Sequence, residues 1–187
     1  VYVRGMAVPA AQSFLTPLGA VAVDREAWLA ASSLPGVIVD DQPHAEEHAI
    51  EVQLPFLQST LDHFTILPIA VGDADPAQVA AVLEALWGGP ETLIVISSDL
   101  SHYHPYRQAQ FRDKATIAQI RQLDATLDGE QACGAGAING LLLAARRHHL
   151  TPHLLDLRNS GDTAGDRSRV VGYASIAFSD DSSHAHH

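Results

Sequence analysis

The sequence predicts an α/β protein in which a central sheet is covered by helices on both faces. Short apolar, β-branched segments typical of buried strands alternate with segments whose apolar residues recur every three or four positions, as in amphipathic helices. A strand buried on both faces is predicted at Thr92–Ile96, and an abruptly polar stretch follows it. At 187 residues the chain has the usual size of one domain. We therefore expect a single domain over residues 1–179, followed by a polar, disordered tail at 180–187.

In the first half of the chain, residues typical of helix starts separate the predicted strands. Asp24 and Asp75 are N-cap residues by type, and Pro76 and Gln78 follow Asp75 at the positions of a capping box. Pro55 lies within a helical pattern, which it should kink or break. The predicted strands are Val1–Val8, Gly19–Val23, Val37–Val39 and Phe64–Val71, and helical patterns cover Asp24–Ala31, His44–Leu61 and Asp75–Leu86.

In the second half, two helices and two strands are predicted. A polar helix follows Pro105, and another opens at Gln131–Gly136 and ends in Arg146–His149, where basic residues complement the negative end of the helix dipole. The apolar residues expected to face inward on the first of these helices are Phe111, Ile117, Ile120 and Leu123. The predicted strands, Leu154–Leu157 and Val170–Phe178, flank a polar loop at Arg158–Asp166.

The charge and the cysteine content of the chain indicate which binding partners are unfavourable and which cellular compartment suits the protein. The net charge of −11 disfavours non-specific binding to nucleic acid or to an anionic membrane. The longest apolar runs are strand-sized, so no transmembrane segment is predicted. Cys133 is the single cysteine, which excludes an intrachain disulfide and suits a reducing, cytoplasmic location. The first residue is Val1 and no signal peptide precedes it, so we expect the chain to be a piece of a longer protein.

Asp99 and His102 come directly after the predicted Thr92–Ile96 strand. In open α/β sheets, ligands bind beyond the carboxyl ends of the strands, which makes these two side chains candidates for chemistry. The alternative is an Asx-type turn that caps the next helix, with His102 merely near the surface.

Two further features offer chemistry, each with a structural alternative. Cys133 lies beside glycines at an expected helix N-terminus, where the dipole favours the thiolate that binds a metal or attacks an electrophile; the alternative is an inert core cysteine. His44-x-x-Glu47-His48 matches the inverted zinc-protease motif, in which the histidines bind zinc and the glutamate is the general base. The alternative for that motif is a solvated acidic helix face.

Taken in order, five short strings cover nearly the whole chain and resemble one known family, the Memo-like proteins. Prokaryotic members of this family are often called protein B of the AmmeMemoRadiSam system. The strings are Glu47-His48-x-Ile50-Glu51-x-x-Leu54-Pro55, Ser97-Ser98-Asp99-x-x-His102, Cys133-Gly134, Asn159-Ser160-Gly161-Asp162 and Val171-Gly172-Tyr173-Ala174.

The resemblance implies a three-layer α/β sandwich with a mixed central sheet, similar to the LigB-type class III extradiol dioxygenases. Those enzymes hold non-haem Fe(II) with two histidines and a carboxylate, and in Memo-like proteins the cysteine corresponding to Cys133 takes the place of the carboxylate. The resemblance implies Cys133 and Asp99 as metal ligands, and His102, His48 and Asp99 as catalytic residues. The residues that it implies as pocket-lining are Glu47, Ser98, Asn159 and Asp162.

The chain departs from the family at its start, because two metal-binding histidines expected in N-terminal strings are absent. We therefore expect an N-terminally truncated fold with an incomplete metal shell. The first hypothesis is a non-haem iron or copper pocket with redox chemistry on an unidentified small molecule. The alternatives are a non-catalytic metal-binding or adaptor protein with protein partners in the AmmeMemoRadiSam system, and the metalloprotease, although His44 is outside the family pattern. The sequence leaves open whether the protein is an enzyme.

Overall fold

A computed structural model describes residues 3–45, 47–163 and 165–180. The chain folds as two compact units, Val1–Ser97 and Ser98–His187, and each combines helices with β-sheet. The mixed α/β class is therefore confirmed, and the expectation of a single domain stays a prediction. Within the described ranges, no helix combines the length and the apolar character that crossing a bilayer requires.

The first unit is built on a small mixed sheet with a separate hairpin. Strand β1 (Met6–Val8) is central and fully buried; β4 (Val37–Val39) runs parallel to it and β5 (Ala70–Val71) antiparallel. The hairpin consists of β2 (Ser13–Thr16) and β3 (Gly19–Ala22). The helices of this unit are α1 (Arg25–Ser32), α2 (Gln42–Ala45), α3 (Leu54–Thr60) and α4 (Pro76–Ala85).

The predicted helix starts of the first unit are confirmed. Asp24 caps α1 by accepting the N–H of Ala27 at 2.9 Å. Asp75 caps α4, and Gln78 accepts the N–H of Asp75 in return, which completes the capping box. Pro55 lies in the first turn of α3, where its missing N–H has no helical partner to lose, so the helix begins there.

Three predicted strands of this unit are wrong in extent or in kind. Of the described part of Val1–Val8, only Met6–Val8 forms a strand. Of Phe64–Val71, only Ala70–Val71 joins the sheet, with an isolated bridge at Ile66. Thr92–Ile96 forms neither strand nor helix, and Leu93 is 73% exposed. A strand exists only where a neighbour pairs with its N–H and C=O groups, and no strand in the described residues pairs with Thr92–Ile96. Apolar, β-branched composition was therefore not sufficient to make Thr92–Ile96 a strand.

The second unit is a three-stranded antiparallel sheet with helices. It contains β6 (His102–His104), α5 (Tyr106–Arg121), α6 (Ala135–Arg147), β7 (Leu150–Asn159), α7 (Ser160–Thr163) and β8 (Val170–Asp180). The strand order is β6–β8–β7, and the long β7–β8 pairing runs from Leu150 opposite Asp180 to Asn159 opposite Gly172. Both strands are longer than predicted, and residue 180 belongs to β8 instead of the tail. The remaining predicted tail, 181–187, lies outside the described residues.

The buried face of helix α5 matches the prediction only in part, since Ile117 and Ile120 are buried as expected. Phe111 was expected to point inward and is 78% exposed. The residues of α5 that are buried recur every three or four positions: Ala109, Asp113, Thr116, Ile117 and Ile120. Phe111 lies about 200° around the helix from Ala109, because each residue advances about 100°. The buried face thus includes a carboxylate and excludes the aromatic ring.

Candidate metal centre

Three side chains with metal-ligating atoms converge within the second unit. Asp99, His102 and Cys133 each offer one such atom, and the three atoms lie within 4.8 Å of one another. His102 Nε2 is 3.5 Å from Asp99 Oδ2. Two donors bound to one ion at about 2.0–2.3 Å and a tetrahedral angle are about 3.3–3.8 Å apart. This spacing allows all three to reach one ion after small side-chain adjustments.

Reciprocal hydrogen bonds hold Cys133 against Asp99. The N–H of Asp99 donates to Cys133 Sγ at 3.2 Å, and the N–H of Cys133 donates to the carbonyl oxygen of Asp99 at 3.3 Å. Ser98 Oγ accepts the N–H of Gly134, the N-cap of α6, at 2.9 Å and lies 3.5 Å from Sγ. These bonds fix the segment just before α6 against Asp99, so that the sulfur of Cys133 lies beside the Asp99 backbone. Cys133 is exposed.

A β-bulge sets the direction of His102. The pairing of β6 with β8 shifts between His102 and His104, and the intervening Tyr103 has φ of 60°, in the left-handed region that a tyrosine seldom adopts. Bulges re-aim a side chain next to functional sites. The guanidinium of Arg169 lies 5.0 Å from the centroid of the Tyr103 ring, a cation–π contact that supports this conformation.

Sequence reasoning missed Tyr173, which lies near the cluster. Burial raises the pKa of Tyr173, and the negative charge of Asp99 raises that pKa further, so the phenol is within electrostatic reach of this carboxylate. Tyr173 was noted only as part of a family string. Its position on β8, the strand that pairs with β6, is a tertiary fact that local sequence does not contain.

Asp113 was also missed, although it left a signal. It lies four residues after Ala109 and four before Ile117 on the apolar face of α5, and it is 2% exposed. Its Oδ1 accepts the N–H of Ser101 at 3.1 Å. A charged residue in the apolar stripe of a helix indicates a specific partner, because an unsatisfied buried carboxylate is costly.

The predicted pocket-lining residues Asn159 and Asp162 are hydrogen-bonded to each other, and Asp162 is also bonded to the start of α5. The N–H of Asn159 donates to Asp162 Oδ2 at 2.9 Å, and Tyr106 Oη donates to Asp162 Oδ1 at 2.6 Å. The bond from Tyr106 lowers the pKa of Asp162 and raises the pKa of Tyr106. These bonds fasten the β7–α7 turn to α5, and the pocket-lining role of the pair stays a prediction.

The inverted zinc-protease motif does not form on one helix. Helix α2 ends before Glu47, whose Oε1 accepts the N–H of His48 at 2.9 Å, a local bond that competes with helix formation. His44 is 7% exposed, and its Nε2 lies 3.0 Å from the carbonyl oxygen of Ala7. The metalloprotease interpretation is therefore wrong. Glu47 and His48 are exposed residues of the first unit, and their predicted roles stay predictions.

The fold and the donor group define the class of the protein, a mixed α/β protein whose second unit brings together an Asp–His–Cys group that could hold a metal ion. The family model described as Memo-like protein matches residues 1–177. The chain belongs to the Memo-like family, as the five strings predicted.

Curated relatives support the same assignment. A MEMO1 family protein of Sulfolobus acidocaldarius is 36% identical over 179 residues, which cover 88% of this chain and 63% of the relative. One from Methanosarcina barkeri is 40% identical over 177 residues, or 86% and 66% of the two chains. One from Archaeoglobus fulgidus is 36% identical over 191 residues, or 93% and 72%. The chain thus spans less than two thirds of the first two of these relatives.

Proposed function

We propose that this chain carries a mononuclear transition-metal site whose ligands are Asp99, His102 and Cys133. The convergence of their three donor atoms within 4.8 Å is the observation that carries the proposal. The donor set fits a borderline-soft metal, since thiolate and imidazole favour iron, copper and zinc over magnesium or calcium. Within that range we propose iron or copper, as the family resemblance implies.

Bound iron or copper would supply Lewis-acid or one-electron redox chemistry to a small molecule. The chain's own residues would bind the ion and orient the reactant beside it, and three protein ligands leave room for that reactant. In a second arrangement of the same group, Cys133 and Asp99 hold the ion and His102 transfers a proton at Nε2, 3.5 Å from Asp99 Oδ2.

The family resemblance extends the proposal to the whole protein, because the chain spans only part of the length of its relatives. We propose that its complete fold is the LigB-type three-layer sandwich and that it works in the cytoplasm, where a single free cysteine stays reduced. Protein partners of the AmmeMemoRadiSam system belong to this proposal, whereas the net charge of −11 argues against nucleic acid or an anionic membrane as a partner.

A metal-binding or adaptor protein without turnover is the second candidate. It is favoured by the exposure of Cys133, because enzyme sites usually bury most of the bound molecule. Oxygen uptake by the iron-loaded full-length protein with catechols and other small phenols separates the two candidates. Substrate-dependent uptake that disappears in the Cys133→Ser variant supports catalysis, and its absence in the metal-loaded protein favours the adaptor.

The metal site itself is tested by anaerobic cobalt titration of the chain without residues 181–187, whose histidines would bind cobalt independently. We expect one equivalent of cobalt and a thiolate-to-cobalt charge-transfer band. Cys133→Ser should remove the band and weaken binding at least about tenfold, since one ligand of three is lost. His102→Ala should also weaken binding, whereas His149→Ala, a change at an exposed histidine outside the cluster, should not. Equal cobalt binding by wild type and Cys133→Ser would refute the site.

A further inference from the structure

The carboxylate of Asp113 lies beneath the segment that carries two of the proposed ligands. Asp113 Oδ1 accepts the N–H of Ser101 at 3.1 Å, and both residues are almost fully buried. Ser101 comes two residues after Asp99 and directly before His102. One buried hydrogen bond therefore acts on the backbone between the two ligands.

Gly172 of β8 makes this arrangement sterically feasible. A Cβ atom built on Gly172 would lie 2.1 Å from Asp113 Oδ2 and 2.6 Å from its Cγ, so no side chain fits there while the carboxylate keeps its place. The same glycine also holds the ligand segment: Leu100 N–H donates to the Gly172 carbonyl oxygen, and Gly172 N–H donates to the Ser101 carbonyl oxygen, both at 2.9 Å. The carboxylate and the glycine thus secure Leu100 and Ser101 from two sides.

We propose that Asp113 is a positioning residue for the metal centre, which fixes Asp99 and His102 together through the N–H of Ser101. This inference rests on the proposed metal site, because it assigns Asp113 a role in forming that site.

The physical reason is that the Ser101 N–H has to find an acceptor away from water. If the Asp113 carboxylate is removed, this N–H is left buried and unsatisfied, and the segment gains free energy by rotating to reach water or another acceptor. Such a rotation moves the residues on both sides of Ser101. Ligands must be held to within about 0.5 Å for strong binding, so a small rotation separates Asp99 from His102.

The test compares Asp113→Ala with Asp113→Asn by anaerobic cobalt titration of the chain without residues 181–187. Asparagine retains an oxygen that accepts the Ser101 N–H, whereas alanine does not. We expect Asp113→Ala to weaken cobalt binding at least about tenfold and to shift or broaden the thiolate-to-cobalt band. Loss of a residue that holds a metal ligand in place typically lowers metal affinity by about 10–100-fold. Asp113→Asn should stay within about threefold of wild type on the same reasoning.

Ile120→Val is the matched control, because Ile120 is buried on the same face of α5 and is not one of the three donors of the cluster. It destabilises the helix through packing and should leave cobalt affinity and the band unchanged. Binding is measured at a temperature at which each variant is folded by circular dichroism. Asp113→Ala binding like Ile120→Val, with an unchanged band, would overturn the proposal.

Gly172→Ala gives a second, independent arm. The added Cβ should displace the Asp113 carboxylate and thereby weaken cobalt binding. In the Gly172→Ala/Asp113→Ala double variant, Gly172→Ala should cause little further loss of cobalt affinity, since there is no carboxylate left to displace. Additive losses in this cycle would contradict a shared mechanism.

Failure of the metal site itself is recognised separately. If wild type and Cys133→Ser bind cobalt alike, the proposed function fails, and the role of Asp113 is decided on the metal-free chain by amide exchange. The exchange of the Ser101 N–H should then be fast in Asp113→Ala and slow in Asp113→Asn and Ile120→Val. Equally slow exchange in all three variants would show that Asp113 does not hold this segment.

Discussion

At the scale of single residues, the cluster depends on contacts between residues far apart in sequence. Cys133 and Asp99 are 34 residues apart, yet each provides a hydrogen bond to the other. Local sequence identified each of them, because a polar run after an apolar segment and a cysteine beside glycines are local patterns. Their mutual distance is a property of the fold. The same holds for Tyr173 and Asp113, which local patterns alone did not identify as neighbours of the cluster.

The titration of Tyr173 should report the charge of Asp99. Burial is the larger cause of its raised pKa and the Asp99 carboxylate the second, so Asp99→Asn should lower the pKa of Tyr173 while leaving it above the usual value of about 10. Because a raised tyrosine pKa favours the folded state only while the phenol is protonated, this contribution to stability is complete below about pH 10 and is lost as pH rises through the folded pKa.

The titration is measured by ultraviolet absorbance of the ionised phenol, with the Tyr173→Phe variant subtracted to remove the other tyrosines. Cobalt binding, which offsets the charge of Asp99, should shift the midpoint in the same direction as Asp99→Asn. A Tyr173 midpoint that is identical in wild type and Asp99→Asn would show that the phenol does not sense this carboxylate.

At the scale of elements, a single N-cap residue can fix where a helix begins, because its side chain accepts a free backbone N–H of the first turn. Asp75 accepts the N–H of Ala77 at 2.7 Å, and the reciprocal bond from Gln78 completes the box that begins α4. Asp75→Ala should lower the free energy of unfolding by about 1 kcal/mol, and Asp75→Asn by only a few tenths, since asparagine caps nearly as well as aspartate.

Urea denaturation followed by circular dichroism measures this difference, with Ala77→Ser as a control in the same helix turn that leaves the cap in place. A loss for Asp75→Asn as large as that for Asp75→Ala would mean that the carboxylate acts through its charge and not through the cap.

The difference between local and long-range interactions explains which elements the sequence predicted correctly. Caps, turns and helix ends are set by neighbouring residues, so α1 and α4 begin where Asp24 and Asp75 predicted. Strands depend on partners that the local pattern does not specify, which is why Thr92–Ile96 was predicted as a buried strand and does not pair. The buried face of α5 was predicted only in part for a related reason: two of its four predicted apolar residues are buried as expected, but Asp113 is also buried there and Phe111 is not.

At the scale of the whole molecule, the donor group lies within the second unit, so metal binding should stabilise that unit. A ligand that binds only the folded state stabilises it by about 2.7 kcal/mol when its concentration is 100 times Kd. Hydrogen exchange followed by mass spectrometry should therefore slow in peptides from 98–180 when cobalt is added, with peptides from 3–97 as an internal reference. In Cys133→Ser the protection should disappear.

The strength of that binding is the last prediction. Three donors lie together in the described residues, whereas the family resemblance implies two further histidines that this chain does not contain. We therefore expect iron or cobalt to bind the chain without residues 181–187 reversibly and to be lost on prolonged anaerobic dialysis, because fewer protein ligands leave more of the ion to water and its dissociation is faster. Metal content after dialysis, measured by elemental analysis on wild type and Cys133→Ser side by side, decides the question. One equivalent of iron retained by wild type and absent from Cys133→Ser would mean that the residues of this chain alone complete the metal shell, and that the two expected histidines are not required.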